Sequence, residues 1–207
     1  MKIKVCGMRE AGNIRAVEQL DIDWMGFIFH PPSPRHVFDS TDVETVRRCR
    51  RTKVGVFVDA DLDAMMATAG RYAFDCVQLH GSESPAICHA LRTRGCTVIK
   101  AFSVASAADL KRTDDYEGAA SLFLFDTKSN VCGGSGQRFD WSLLHNYHGH
   151  TPFLLSGGIA PGCVDELLRF RHPMMTGADL NSGFEIAPAV KDTVALAAFV
   201  KVLKNAE

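Results

Sequence analysis

The sequence predicts a single (β/α)8 (TIM) barrel over residues 1–207, and three observations predict it. Eight short apolar runs, rich in β-branched and aromatic residues, each precede a longer stretch with helical spacing. The runs do not alternate polar with apolar, as expected of parallel strands covered on both faces. Each unit has about 26 residues, enough for a βαβ crossover, and no linker, low-complexity tract or composition shift interrupts the rhythm. An open doubly wound sheet is the rival architecture. It usually needs fewer strands, so the count of eight favours closure.

The first strand is expected over Ile3–Cys6 and the first helix over Asn13–Leu20, where Ile14, Val17 and Leu20 share a face. Trp24–Phe29 is the second strand. Asp42–Arg51 is its helix, with Val43 and Val46 inward and Ser40/Thr41 as the start signal. Val54–Val58 and Leu62–Ala69 form the third pair. Cys76–Leu79 and Pro85–Arg94 form the fourth, started by Ser82/Ser84. Val98–Phe102 and Ala107–Lys111 are the fifth pair. Leu122–Phe125 is the sixth strand, and its helix is the least clear, with Trp141–Leu144 the candidate. Phe153–Leu155 with Val164–Arg171, then Met175–Leu180 with Thr193–Leu203, complete the series, Asp192 starting the last helix.

Composition excludes several classes of function. Hydrophobic residues at 46% and charged residues at 23% are ordinary globular usage, which rules out disorder and collagen-like repeats. Lys plus Arg is 23 against 24 for Asp plus Glu. With a net charge of -1, no global field would hold nucleic acid or an acidic membrane, although backbone groups can still build a local anion site. No apolar run approaches the roughly 20 residues of a membrane span, and the first residues have no signal-peptide stretch, so a cytoplasmic protein is expected. Seven cysteines without a C-x-x-C pair read as reduced thiols rather than a disulfide framework or zinc ribbon.

In such a barrel, function gathers at the C-terminal ends of the strands. The residues there are Cys6, the Pro31–Arg35 loop, Asp59, Gln78 with His80, Ser103, Asp126, Ser156–Gly158 and Asp179–Gly183. A thiol, an arginine, carboxylates, an imidazole and two glycine-containing loops would thus share one mouth. Gly157 and Gly158 follow strand seven; Asn181, Ser182 and Gly183 follow strand eight. Glycines let backbone N–H groups approach an anion, and loops after strands seven and eight are the recurring phosphate site of these barrels. Either loop alone reads equally well as a tight turn. The pair, at these two positions, favours phosphate.

At these residues a resemblance becomes specific. Lys4-Val5-Cys6-Gly7-Met8, Gly26-Phe27-Ile28-Phe29, Ser33-Pro34-Arg35 and Val54-Gly55-Val56-Phe57-Val58 come first. Val77-Gln78-Leu79-His80-Gly81, Ile99-Lys100-Ala101-Phe102, Phe125-Asp126-Thr127 and Gly133-Gly134-Ser135-Gly136 follow. Leu155-Ser156-Gly157-Gly158-Ile159 and Asp179-Leu180-Asn181-Ser182-Gly183-Phe184-Glu185 close the series. In this order the chain resembles the phosphoribosylanthranilate isomerase family of tryptophan biosynthesis along essentially its whole length. It departs from the family in four places. Cys163 stands where the family often has Asn, Ala189 where it has Gly, and Leu180 and Phe184 replace commoner valines.

The resemblance implies an Amadori rearrangement. N-(5-phosphoribosyl)anthranilate would become the 1-deoxyribulose 5-phosphate aminoketone. Asp126 would be the acid that opens the furanose and Cys6 the thiolate base that takes the C2 proton. A carboxyl in a closed apolar mouth keeps its proton more readily, and a thiol needs a positive neighbour to serve as a base. No cofactor and no metal are implied, because the substrate nitrogen is the electron sink. Arg35 would pair with the anthranilate carboxylate. Gln78 and His80 would order the acid or line the site, with a core or turn role equally open for His80. Asp179 would bind a sugar hydroxyl or cap its loop. The partner is a small phosphosugar, and the chain is expected to be a monomer or weak homodimer.

Lys128–Arg138, with Gly133, Gly134 and Gly136, reads as a lid closing over the ligand. His145, His148 and His150 fall toward the opposite end of the barrel with no cysteine or carboxylate beside them, which argues against a metal. Two rivals stand beside the isomerase. The aminoimidazole-carboxamide isomerase of histidine biosynthesis uses a carboxylate where Cys6 stands and takes two phosphates. A non-catalytic phosphate-binding barrel would not need Cys6, Asp126 and Arg35 together.

Overall fold

Eight parallel strands close in sequence order: β1 (Lys2–Val5), β2 (Trp24–Phe29), β3 (Thr52–Phe57), β4 (Cys76–Leu79), β5 (Thr97–Val104), β6 (Leu122–Thr127), β7 (Phe153–Leu155) and β8 (Met175–Leu180). The closing seam pairs β1 with β8, placing Lys4 beside Asp179 and Val5 beside Leu180. This computed structural model describes residues 1–38, 41–127 and 140–206, so the Lys128–Arg138 lid reading and Ser40 fall outside the described residues.

Because side chains alternate along a strand, each strand feeds two cores. Ile3 and Val5, Met25 and Phe27, Phe123 and Phe125, and Ala178 and Leu180 point out and pack under the helices in one large core. Cys6, Trp24, Val54, Val56, Cys76, Ile99, Ala101, Leu124 and Leu154 form a smaller cluster within the barrel. The expectation of strands apolar on both faces fails on this inner face. Lys4, Gln78 and Asp179 share its parity and are buried there. A buried ammonium and carboxylate are tolerable only when partnered, and Lys4 and Asp179 partner each other across the β1–β8 seam, while the Gln78 amide nitrogen meets His80 two residues on.

The covering layer holds α1 (Ala11–Val17), α2 (Val43–Arg48), α3 (Leu62–Tyr72), α4 (Pro85–Thr93), α5 (Val164–Arg169) and α6 (Thr193–Asn205). After β5 and β6 the chain forms 3-10 helices instead, Ala107–Tyr116 and Trp141–Asn146. Thr113, Asp114 and Asp115 are weak helix formers in the first, which a Ser106–Asp109 capping box starts. Asp192 caps α6 as expected, accepting from the N–H groups of Val194 and Ala195. For α2 the cap is Asp42, accepting from Glu44 N–H at 3.0 Å, and not Thr41. Ser84 precedes α4 without a side-chain capping bond, and the Ser82 hydroxyl donates to Asp59 at 2.7 Å.

One element lay outside the sequence expectation. After a 3-10 turn at Ser182–Phe184, β9 (Glu185–Ala187) and β10 (Val190–Lys191) form a short antiparallel hairpin between β8 and α6. Its turn carries Ala189 at φ 67, a left-handed backbone that suits glycine better. Among the described residues no helix is long and apolar enough to cross a membrane.

Candidate active site at the C-terminal mouth

Cys6 follows β1 directly, and its N–H donates to the Leu180 carbonyl at 2.8 Å, which fixes it at the β1–β8 seam. Its side chain is buried beside β2 at Gly26. A Cβ at Gly26 would lie 2.7 Å from Cys6 Sγ and 3.1 Å from Lys4 Nζ, so the missing side chain makes room for both. Lys4 Nζ in turn sits 2.9 Å from Asp179 Oδ1, and neither side chain meets appreciable solvent. Burial acts to lower the Lys4 pKa, but the Asp179 carboxylate outweighs it and holds the ammonium well above the ordinary lysine range. Burial pushes the Cys6 thiol up, Lys4 pulls it back, Asp179 raises it again, and the net direction is upward.

Asp126 stands two residues beyond Leu124 on the inner face of β6, half-buried, with its Oδ2 3.5 Å from His80 Nε2. His80 Nδ1 lies 2.9 Å from Gln78 Nε2. With the amide nitrogen donating, Nδ1 accepts, and the imidazole proton sits on Nε2 toward Asp126. Gln78 is fully buried, and its Oε1 has no hydrogen-bond partner among the described residues. The structure therefore brings Gln78, His80 and Asp126 into one line on adjacent parts of the mouth.

Arg35 reaches the mouth from the loop after β2, and its guanidinium is engaged by the hairpin. Nε and Nη2 donate to the Glu185 carboxylate at 2.9 and 2.7 Å. Lys191 Nζ donates to the same carboxylate at 2.7 Å and to Asn181 Oδ1 at 2.8 Å. Gly7, at φ 78, lets this network close over the seam: a Cβ there would lie 2.8 Å from both Arg35 Cδ and Asn181 Oδ1. Burial lowers the Lys191 pKa against the pull of Glu185, and Arg35 and Lys191 together hold Glu185 below the usual carboxylate range despite its burial.

The two glycine loops lie against each other. Gly157 and Gly158 have φ of 85 and 70. A Cβ at Gly183 would run into the Ile159 carbonyl and stand 3.0 Å from Ala160 Cα. Ser182 and Gly183 are in the 3-10 turn after β8, while the Asn181 side chain is committed to Lys191. The Asp59 carboxylate, just past the end of β3, accepts from Ser82 N–H and Oγ, each at 2.7 Å.

The model of the family described as N-(5'-phosphoribosyl)anthranilate (PRA) isomerase matches residues 3–202. The chain belongs to this family. The N-(5'-phosphoribosyl)anthranilate isomerase of Parabacteroides distasonis is 51% identical over 207 residues, covering 97% of this chain and 92% of that protein. A monomeric form of the dimeric phosphoribosylanthranilate isomerase of Thermotoga maritima superposes with a TM-score of 0.84 at 29% identity, covering 99% of each chain. A phosphoribosylanthranilate isomerase in complex with reduced 1-(o-carboxyphenylamino)-1-deoxyribulose 5-phosphate superposes at 0.83, with 29% identity and 99% of each chain covered.

Two departures from the phosphoribosylanthranilate isomerase pattern acquire a structural meaning. Cys163 Sγ accepts from Ala160 N–H at 3.4 Å and donates to the Gly158 carbonyl at 3.5 Å. A side chain with one donor and one acceptor can thus fasten the loop after β7 as an asparagine would. Ala189 keeps a glycine-like φ and donates its N–H to Glu185 Oε1 at 3.2 Å.

Sequence reasoning missed Lys4, Glu185 and Lys191. The parity of Lys4 with Cys6 was the available signal. His145, His148 and His150 precede β7 at the other end of the barrel, near His172, and among the described residues no three His, Cys, Asp or Glu side chains gather to hold a metal.

Proposed function

We infer that this chain catalyses the Amadori rearrangement of N-(5-phosphoribosyl)anthranilate to 1-(2-carboxyphenylamino)-1-deoxyribulose 5-phosphate, a step of tryptophan biosynthesis, with residues 1–207 acting as one catalytic barrel. The observation that carries the reading is the family match across nearly the whole chain with Cys6 and Asp126 both at strand ends of one mouth. Asp126 protonates the ring oxygen, and the furanose opens to an iminium. Cys6, as thiolate, takes the C2 proton, and the electron pair moves toward the nitrogen to give the enolamine, which ketonises. His80, held by Gln78, orients Asp126. The substrate nitrogen serves as the electron sink, so no cofactor enters.

Binding fixes both ends of the substrate. The backbone N–H groups of Gly157, Gly158, Ser182 and Gly183 cradle the phosphate, with Asn181 setting the second loop through Lys191. Glu185 occupies the Nε edge of Arg35, and the Nη1 edge receives the anthranilate carboxylate. Asp179 gives Oδ1 to Lys4, and Oδ2, which accepts from the Ser156 hydroxyl at 3.5 Å, keeps a lone pair for a ribose hydroxyl. The reading places a monomer or weak homodimer in the cytoplasm, acting on a small phosphosugar and on no nucleic acid or membrane.

The test generates the substrate in situ and follows loss of its fluorescence. Cys6→Ala and Asp126→Asn are each expected to lower turnover about 100-fold or more. A reduced product analogue should still bind, because the phosphate and carboxylate anchors remain. Wild-type turnover in either variant overturns the assigned role.

A further inference from the structure

We propose that Lys4 is a positioning residue that favours the thiolate form of the Cys6 sulfur against its burial, and that Asp179 sets how much of the ammonium's charge reaches it. The proposal rests on the reading of Cys6 as the base. Lys4 and Cys6 are two residues apart on one strand, so both project to the inner face. Lys4 Nζ is 2.9 Å from Asp179 Oδ1, and Nζ and Sγ crowd the same space over Gly26, within 3.1 and 2.7 Å of where a Cβ would stand. An ammonium has three donors, and the carboxylate engages one.

Stability alone gives no reason for this arrangement. Two buried charges lose their hydration, and apolar side chains of similar volume usually fill such a place at no loss. The chemistry gives one. A thiol buried among Trp24, Val54 and Val56 would hold its proton, and a base must first release it. The charged groups facing the sulfur are Lys4 from β1, Asp179 from β8 and Lys191 from β10, while β2 adds no charged group beside it. The ammonium favours the thiolate, and Asp179 restrains it so that the sulfur remains basic enough to take a proton from carbon. A thiolate whose pKa is driven too low would be a poor base.

The experiment titrates thiolate absorbance at 240 nm in the full chain. Each background is read as the difference from its Cys6→Ser counterpart, so the other cysteines cancel. Lys4→Met is expected to move the midpoint up by about one to three pH units, as loss of a close opposite charge does. Lys4→Arg should stay near wild type, and Asp179→Asn should move the midpoint down. Lys4→Met/Asp179→Asn removes the cation without stranding a carboxylate, and its midpoint should lie above that of Asp179→Asn. The acid limb of kcat/KM should follow the same order in the variants that turn over. If Lys4→Met does not fold, the Asp179→Asn shift decides by its sign. An unmoved or raised midpoint in Asp179→Asn, or an unmoved one in Lys4→Met, overturns the proposal. Retained turnover in Cys6→Ser would instead overturn the base reading, whatever the titration gives.

Discussion

The Arg35 guanidinium presents two hydrogen-bonding edges, and Glu185 takes the one formed by Nε and Nη2. An arginine held this way is rigid before the substrate arrives, which lowers the entropy cost of binding a carboxylate on the other edge. Arg35→Ala should therefore lose about 1.5–3 kcal/mol of transition-state binding, read in kcat/KM, and Arg35→Lys less. A product analogue lacking the carboxylate sharpens the test. Wild type should bind it poorly and Arg35→Ala should barely distinguish the two analogues; equal discrimination by both proteins would remove the assignment. Cys163 allows a second residue-scale test. Its two sulfur contacts pin the Gly158 loop, so Cys163→Ala should raise KM by about two- to tenfold, the worth of one modest hydrogen bond, with kcat little changed. Cys163→Asn should restore it. An unchanged KM in the alanine variant would separate the loop's anchoring from phosphate binding.

The β9–β10 hairpin shows which elements a sequence conceals. The eight strands are legible because each is an apolar run followed by a helical stretch. The hairpin's strands are three and two residues long, Glu185–Ala187 and Val190–Lys191, too short for any period to register. Its purpose lies in contacts distant in sequence: Glu185 joins Arg35 from the far side of the chain to Lys191 beside it. Cys6, Asp126 and the glycine loops were legible because strand ends announce them. Lys191 was not, since a lysine in a two-residue strand gives no sign that it will be buried, and Lys4 was signalled only by its parity with Cys6. Glu185→Gln tests the hairpin. It leaves two buried cations with a neutral partner, and breaking a buried pair in this way typically costs about 3–5 kcal/mol. The loss should appear as a lower denaturation midpoint, larger than for an exposed pair such as Arg48–Glu44 in α2. Equal losses at the two sites would mean that the hairpin network adds nothing beyond a surface pair.

The barrel has its candidate site at one end and a different set of titrating ties at the other. Before β8, His172 Nδ1 accepts from Met174 N–H at 3.1 Å and Nε2 lies 3.1 Å from the Tyr147 carbonyl. This arrangement needs the neutral ring with its proton on Nε2. Burial lowers the His172 pKa, the Tyr147 carbonyl works against it, and His145 and His148 lower it further. A histidine with a depressed folded pKa favours folding while neutral. Its contribution is full above the unfolded value of roughly 6.5 and is lost as the pH falls through the lower folded value. Glu185 acts in the same sense at more acidic pH: Arg35 and Lys191 outweigh its burial, so its contribution is full above roughly 4.3 and is lost as the pH falls through its lowered value. Denaturant unfolding from pH 8 downward should therefore show an acid limb in two steps, the first beginning below about 6.5 and the second below about 4.3. His172→Gln should flatten the first step and leave the second. Because the ring lies at the opposite end of the strands from Cys6 and Asp126, the variant's kcat/KM at pH 8 should match wild type. A first step that persists in His172→Gln would assign the upper limb to a different group.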